Sequence, residues 1–148
     1  MDVKDFATDE DRFKKKIGVR RFDVNSATQK LLSLADLWSS VAQEHLGGLI
    51  SINAAAEDGR IDGEVLGKKF CIRYAPFGLE GEGTVEAALS IQDLVTGKSI
   101  ELSRFLVSSK GAILTIAGEE LINPEHSEYG YKVLVAIATR VINAPSKA

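Results

Sequence analysis

The chain has 148 residues, of which 45% are hydrophobic and 26% are charged, as in an ordinary soluble globular domain. Its formal net charge of −3 gives the chain as a whole no preference for phosphate backbones or anionic membranes. The one cysteine and two histidines lie at no spacing typical of a metal centre, a nucleophile with its base or a phosphate-binding loop, so we expect no metal and no cofactor.

The sequence favours a cytoplasmic protein. The lone cysteine, Cys71, cannot form an intramolecular disulfide, and the first residues lack the apolar core of a signal peptide. The apolar runs are too short to span a bilayer. We therefore expect a cytoplasmic location and no membrane partner.

Residues 1–24 are predicted to form a charged, loosely ordered N-terminal arm, because their charge density leaves little apolar surface to offset the entropy of ordering. Acids precede lysines between Asp9 and Lys16, an order that suits the dipole of a short helix. The cations of this arm are our first candidates for contact with a partner: Arg12, Lys14, Lys15, Lys16, Arg20 and Arg21.

A long helix is predicted next. Residues 26–29 fit a capping box, and apolar residues recur at helical spacing from Leu31 onward. This periodicity places Trp38 on the buried face and His45 in the core or at its boundary. Three consecutive alanines then favour further helix over residues 49–57.

After Asp58 the hydrophobic period becomes two, which is typical of β-strands. The alternation predicts strands around residues 69–74, 85–92, 99–103 and 112–117. The links between them, including a turn at Asp62-Gly63, are too short for crossover helices, so the strands should form an antiparallel meander.

The end of the chain allows two interpretations. Asn123-Pro124-Glu125 is typical of a helix start, with an N-cap residue, a proline in the first turn and an acid. β-Branched residues at alternate positions of 133–141 instead suit a strand. We favour a helix because the start signal is the more specific of the two.

Together these elements predict an α+β fold: a long N-terminal helix, an antiparallel meander sheet of about four strands and a C-terminal helix. One polar and one apolar side per strand places both helices on one face of the sheet. The chain then divides into the arm, residues 1–24, and a single α+β domain, residues 25–148.

Two segments imitate ligand-binding motifs. Residues 96–99 end like a phosphate-binding loop, but a strand follows them where the motif needs a helix. Residues 58–69 imitate a calcium loop, but Arg60 and Lys69 occupy positions that need oxygen ligands. Both segments are better explained as turns.

Two further regions carry candidate site residues. The glycine-rich segment 78–83 is predicted to be an exposed loop, and Phe77, Glu80 and Glu82 are candidates for partner contact there. Glu125 and His126 could serve as metal ligands or as an acid–base pair. Acids in the first turn of a helix explain that second cluster more simply.

The sequence favours a non-enzymatic protein that binds another protein, as an adaptor, a chaperone-like factor or an inhibitor. This hypothesis depends on the scarcity of catalytic side chains, the small size and the net negative charge. An alternative is an enzyme or small-molecule-binding domain with a pocket between helix and sheet. A second alternative is nucleic-acid binding through the basic arm. A homodimer is compatible with all three.

Overall fold

The computed structural model describes residues 1–79 and 81–148. A long helix, α1 (Glu10–His45), precedes the sheet, and a shorter helix, α2 (Tyr129–Asn143), follows it. The strands between them are β1 (Ile50–Ala55), β2 (Arg60–Val65), β3 (Lys68–Leu79), β4 (Glu82–Gln92), β5 (Ser99–Val107), β6 (Ile113–Leu114) and β7 (Glu120–Ile122).

The strands form one antiparallel sheet in which each strand pairs with its neighbours in sequence. The α+β class, the meander topology and the C-terminal helix are thus confirmed, but the sheet has seven strands and not about four. The predicted alternation missed β1, β2 and β7. A bulge between Leu89 and Ser90 interrupts the β4–β5 register, which increases the local twist.

Residues 49–57 and the Asp62-Gly63 pair were predicted wrongly. The first segment contains strand β1, because Ile50 and Ile52 pack against the core and pairing with β2 outweighs the helix preference of the alanines. Gly63 lies within β2, where a Cβ would overlap the ring of Phe70. This glycine therefore provides space for an aromatic ring and does not form a turn.

One face of the sheet carries the main hydrophobic core, to which both helices contribute. Inward residues of the strands, among them Ile61, Ile72 and Leu89, share one cluster with Leu31 of α1 and Leu134 of α2. Ordinary alternation explains this choice of face, because successive side chains of a strand point to opposite sides.

Trp38 confirms the predicted buried face of α1. Its side chain is 1% exposed, and its indole N–H donates a hydrogen bond of 2.9 Å to the carbonyl of Gly130. Gly130 lies in the first turn of α2, where a Cβ would overlap Leu37 of α1. Gly130 weakens the helix preference of this segment, but its lack of a side chain allows α1 and α2 to pack closely.

Helix α2 starts later than predicted. The Asn123 side chain accepts a hydrogen bond from the Glu125 N–H at 2.9 Å, which forms an Asx turn and does not cap a helix. The helix begins at Tyr129, after Glu128 in a left-handed conformation with φ 60°. Its stripe of Val133, Leu134, Ile137 and Val141 is buried, as its periodicity indicates.

Helix α1 is continuous across the predicted boundary between arm and domain. Asp9 caps it, accepting from the Arg12 N–H at 2.8 Å, but the helix does not end at Lys16. Ser26 caps nothing, and its hydroxyl donates across the fold to the Ser109 carbonyl at 2.7 Å. His45, predicted at the core or its boundary, is exposed in the last turn.

Candidate functional site: the exposed part of helix α1

A single apolar stripe runs along most of helix α1. Residues at spacings of three and four share one side of a helix, and here they are Phe13, Ile17, Arg20, Val24, Ala27, Leu31, Ala35, Trp38 and Ala42. From Ala27 onward the stripe is buried, with Leu31 fully inaccessible. Phe13 and Ile17 remain 55% and 45% exposed, because the helix there extends beyond the residues that cover the stripe.

A groove forms where α1 leaves the sheet. It encloses about 380 Å³ between the helix and the ends of β3 and β4. Ile17, Val24, Pro76 and Phe77 contribute apolar side chains to its lining, and Arg20 and Arg21 contribute cations. The exposed part of the stripe therefore leads into a concave, largely apolar site.

Gly83 sets the distance between the helix and these strands. A Cβ at Gly83 would overlap the carbonyl oxygen of Arg20, so only glycine allows the backbones to approach this closely. The Gly83 N–H also donates to the Asp23 carboxylate at 3.2 Å. Gly78 has no such requirement, since a Cβ there would lie 3.4 Å from the Arg20 guanidinium, in ordinary van der Waals contact. These contacts dock residues 20–24 against the sheet.

The cations of α1 are distributed around the helix. Helical spacing places Lys16 and Arg21 beside the stripe and Arg20 within it. Lys14 and Arg12 lie further round, about a quarter of a turn from the stripe on its two sides, and Lys15 lies on the far side. Lys14 is engaged with Glu10 at 3.3 Å, one turn earlier. Such an exposed i,i+4 pair contributes only about 0.3–0.5 kcal/mol, so a partner's carboxylate can displace it.

The structure brings together some of the predicted site residues and separates others. Arg20, Arg21 and Phe77 line the same groove. Phe77 also packs on a small satellite core of Leu106, Ala112 and Leu114. Glu82 begins β4 and lines a different hollow, formed with residues of the β5–β6 and β7–α2 connections. Glu80 lies outside the described residues.

The predicted exposed loop at residues 78–83 is shorter than its glycines suggested. Strand β3 extends to Leu79 and β4 starts at Glu82. The side chain of Leu79 is half-buried against the satellite core. Two of the candidate residues, Phe77 and Glu82, are therefore held by paired strands.

A second groove, of about 460 Å³, lies on the polar face of the sheet across β1 to β4. Arg60 forms ion pairs there with Asp58 at 3.2 Å and Asp62 at 3.0 Å. Partial burial and the neighbouring Asp62 carboxylate raise the pKa of the Cys71 thiol. The thiol is therefore protonated near neutral pH, which disfavours nucleophilic chemistry because the thiolate is the reactive form.

The Glu125–His126 region is an exposed turn. The His126 Nδ1 atom lies 2.8 Å from the carbonyl oxygen of Ser127, so its ring interacts with the local backbone. In residues 1–79 and 81–148, no group of three or more His, Cys, Asp or Glu side chains has the arrangement of a metal site.

Comparison of the chain with protein-family models, curated proteins and solved structures finds no match. Within the part of the chain that the structure describes, no helix is both long enough and apolar enough to cross a membrane.

The sequence interpretation missed the apolar members of this site. The cations of the arm were the predicted candidates for partner contact, whereas Phe13 and Ile17 were assigned to a loosely ordered segment. The signal was present, since both residues continue the helical period of Val24 and Leu31 towards the N-terminus. The charge density of the segment obscured that period.

Proposed function

We propose that the protein is a non-enzymatic cytoplasmic binding protein that recognises an acidic, amphipathic helix of another protein. The observation that carries the proposal is the exposed continuation of the α1 core stripe, Phe13 and Ile17, into the groove beside Phe77. Apolar side chains aligned on one helix face are how helices recognise one another.

The length of the exposed surface suits a short helix. Phe13 and Val24 are eleven residues apart, which corresponds to about 16 Å along the axis at about 1.5 Å per residue. A partner helix of about three turns would cover this stripe and place an apolar side chain in the groove. Burial of Phe13 and Ile17 would supply the main part of the binding free energy.

The positive charge beside the stripe favours a partner that carries negative charge. Lys16, Arg20 and Arg21 flank or interrupt the stripe, so a partner with glutamates beside its apolar residues gains attraction at both margins. These cations are mostly exposed, and their contribution should therefore decrease with ionic strength. The Asp23 carboxylate accepts a hydrogen bond from the Gly83 N–H and offsets part of this positive charge where the helix meets the sheet.

The test uses two defined peptides of about twenty residues with the same leucine stripe, one flanked by glutamates and the other by lysines. Fluorescence anisotropy of each labelled peptide is measured against the full chain at low and physiological salt. We expect saturable binding of the glutamate peptide, weakened by salt, and much weaker binding of the lysine peptide.

Matched variants assign the binding to the stripe. Phe13→Ser combined with Ile17→Ser should abolish binding of the glutamate peptide. Phe22→Ser should leave it unchanged, because Phe22 is 76% exposed on the opposite side of the same helix. Equal binding of both peptides, or equal loss in both variants, would contradict the proposal.

A labelled single-stranded oligonucleotide is the third probe. Binding of this probe that depends steeply on salt and is unaffected by the change at Phe13 and Ile17 would replace the proposal with nucleic-acid binding. If the glutamate peptide binds as expected, the same peptide sequence can be used to search for natural partners.

A further inference from the structure

The two edges of the sheet differ in how they are protected. Strand β7 has three residues, carries Glu120 and is followed closely by Pro124. Strand β1 has six residues, Ile50–Ala55, with no charged residue, no proline and a regular register against β2. Natural sheets blunt exposed edges with short strands, charges, prolines, bulges or a covering helix. Strand β1 has none of the first four, and helix α1 packs beside it but, among the described residues, forms no hydrogen bond to its backbone.

The hydrogen-bond pattern shows which groups of β1 face outward. The Leu66 N–H donates to the Leu49 carbonyl at 2.9 Å, and bonded pairs alternate with non-bonded pairs along an antiparallel ladder. Ser51 and Asn53 therefore bond to β2, while Ile50, Ile52 and Ala54 direct their N–H and C=O groups away from it. In the described chain no backbone group outside the β1–β2 ladder bonds to these three residues.

We propose that this edge pairs with β1 of a second copy of the chain. Two antiparallel copies of one strand are related by a two-fold axis, so one patch serves both subunits. An axis at Ile52 sets it beside the partner subunit's Ile52 and sets Ile50 opposite the partner subunit's Ala54. Each pair of outward-facing residues then exchanges two backbone hydrogen bonds.

The side chains in this register are compatible. Ile50, Ile52 and Ala54 would continue the apolar face of the sheet across the axis. On the polar face, Ser51 would lie opposite the partner subunit's Asn53, a pairing of hydroxyl with amide. No like charges meet within the strand pair, and this self-complementarity favours a second copy over an unrelated strand.

Two double variants test the register. Ser51→Lys with Asn53→Lys sets like charges opposite each other across the axis, whereas Ser51→Lys with Asn53→Glu sets opposite charges there. Both side chains are exposed on the polar face, so both variants should fold, as circular dichroism and thermal unfolding will show.

Sedimentation velocity over a range of protein concentrations gives the dissociation constant of each dimer. We expect dimers for the natural chain and for the lysine–glutamate variant. The lysine–lysine variant should dissociate at least about tenfold more readily than the lysine–glutamate variant, since two cross-strand charge pairs are involved. The Phe13→Ser, Ile17→Ser variant should remain dimeric, which separates this interface from the proposed binding surface on α1.

Two results would overturn the inference. One is a natural chain that stays monomeric at every concentration, which would leave the edge available to an extended segment of a different protein. The other is equal dimer affinity in the like-charge and opposite-charge variants, which would place any dimer interface elsewhere on the molecule.

Discussion

The two ends of helix α1 present the same apolar stripe to different surroundings. Between Ala27 and Ala42 the stripe lies under the sheet and α2, and its members are buried. At Phe13 and Ile17 it leaves the sheet and is about half exposed. One periodic pattern thus supplies both a core and a surface, and the neighbouring elements decide which part of it is buried. Substitutions in the two ends should therefore have separable effects on stability and binding.

The largest expected effect is at Trp38. Trp38→Ala removes a fully buried ring and leaves the Gly130 carbonyl without its indole donor, so the free energy of unfolding should fall by about 3–5 kcal/mol. Urea denaturation followed by circular dichroism measures this. Phe22→Ala is the exposed control on the same helix and should change stability by less than about 0.5 kcal/mol. Similar losses in the two variants would contradict the division of α1.

Gly83→Ala should have the next largest effect, because its Cβ would overlap the Arg20 carbonyl. We expect a loss of about 1–3 kcal/mol, as is usual for overpacking, together with faster amide hydrogen exchange over residues 17–24.

Gly18→Ala is the matched control, since nothing lies within 4 Å of the added methyl group. It should stabilise the helix by up to about 1 kcal/mol. If Gly83→Ala left exchange in residues 17–24 unchanged, the docking contact that we describe at Asp23 and Arg20 would be wrong.

Tyr129→Phe tests the start of α2, which covers the buried end of the α1 stripe. The Tyr129 hydroxyl donates to the Gly111 carbonyl, and losing this bond should cost about 1 kcal/mol. Burial raises the pKa of Tyr129 to about 12, against about 10 for an unfolded chain.

The unfolded chain therefore loses this proton first, and the contribution of Tyr129 to stability should be complete below pH 10 and decline as the pH rises towards 12. Urea denaturation at several alkaline pH values should show a shallower decline for Tyr129→Phe than for the natural chain. Identical pH profiles would mean that the hydroxyl is not buried in the folded protein.

The smallest stability effect is expected at the exposed end. Phe13→Ser with Ile17→Ser, or deletion of residues 1–19, should change the free energy of unfolding by less than about 0.5 kcal/mol, because these side chains cover no core residue. Thermal unfolding of the shortened chain provides the measurement. A deletion that unfolds the protein would show that the N-terminal residues belong to the core.

The sequence predicts the elements with strong periodicity and misses those that depend on pairing. The buried face of α1 around Trp38 and the strands near Phe70 and Leu89 follow from periods of 3.6 and two. Strand β1 contains alanines that favour helix locally, and only its ladder with β2 makes it a strand. Gly63 and Gly130 similarly have roles set by Phe70 and Leu37 across the fold, which local patterns do not contain.

The candidate site was predictable in its charges but not in its shape. The cations Arg20 and Arg21 stand out in the sequence, as does Phe77. Their meeting in one groove depends on Gly83 admitting the helix backbone, a contact between residues more than sixty positions apart in the chain. The helical period that links Phe13 and Ile17 to the core is visible in the sequence. The sequence does not show which of the residues in that period are covered by other elements.

The most direct test of the central claim is amide hydrogen exchange of the full chain with and without the glutamate-flanked peptide. We expect added protection confined to residues 13–24 and to the ends of β3 and β4 near Phe77 and Gly83, with the core around Trp38 unchanged. Protection that appears instead on the polar face of the sheet around Asp62 and Cys71, or no change at a saturating peptide concentration, would contradict the assignment of the exposed stripe as the binding surface.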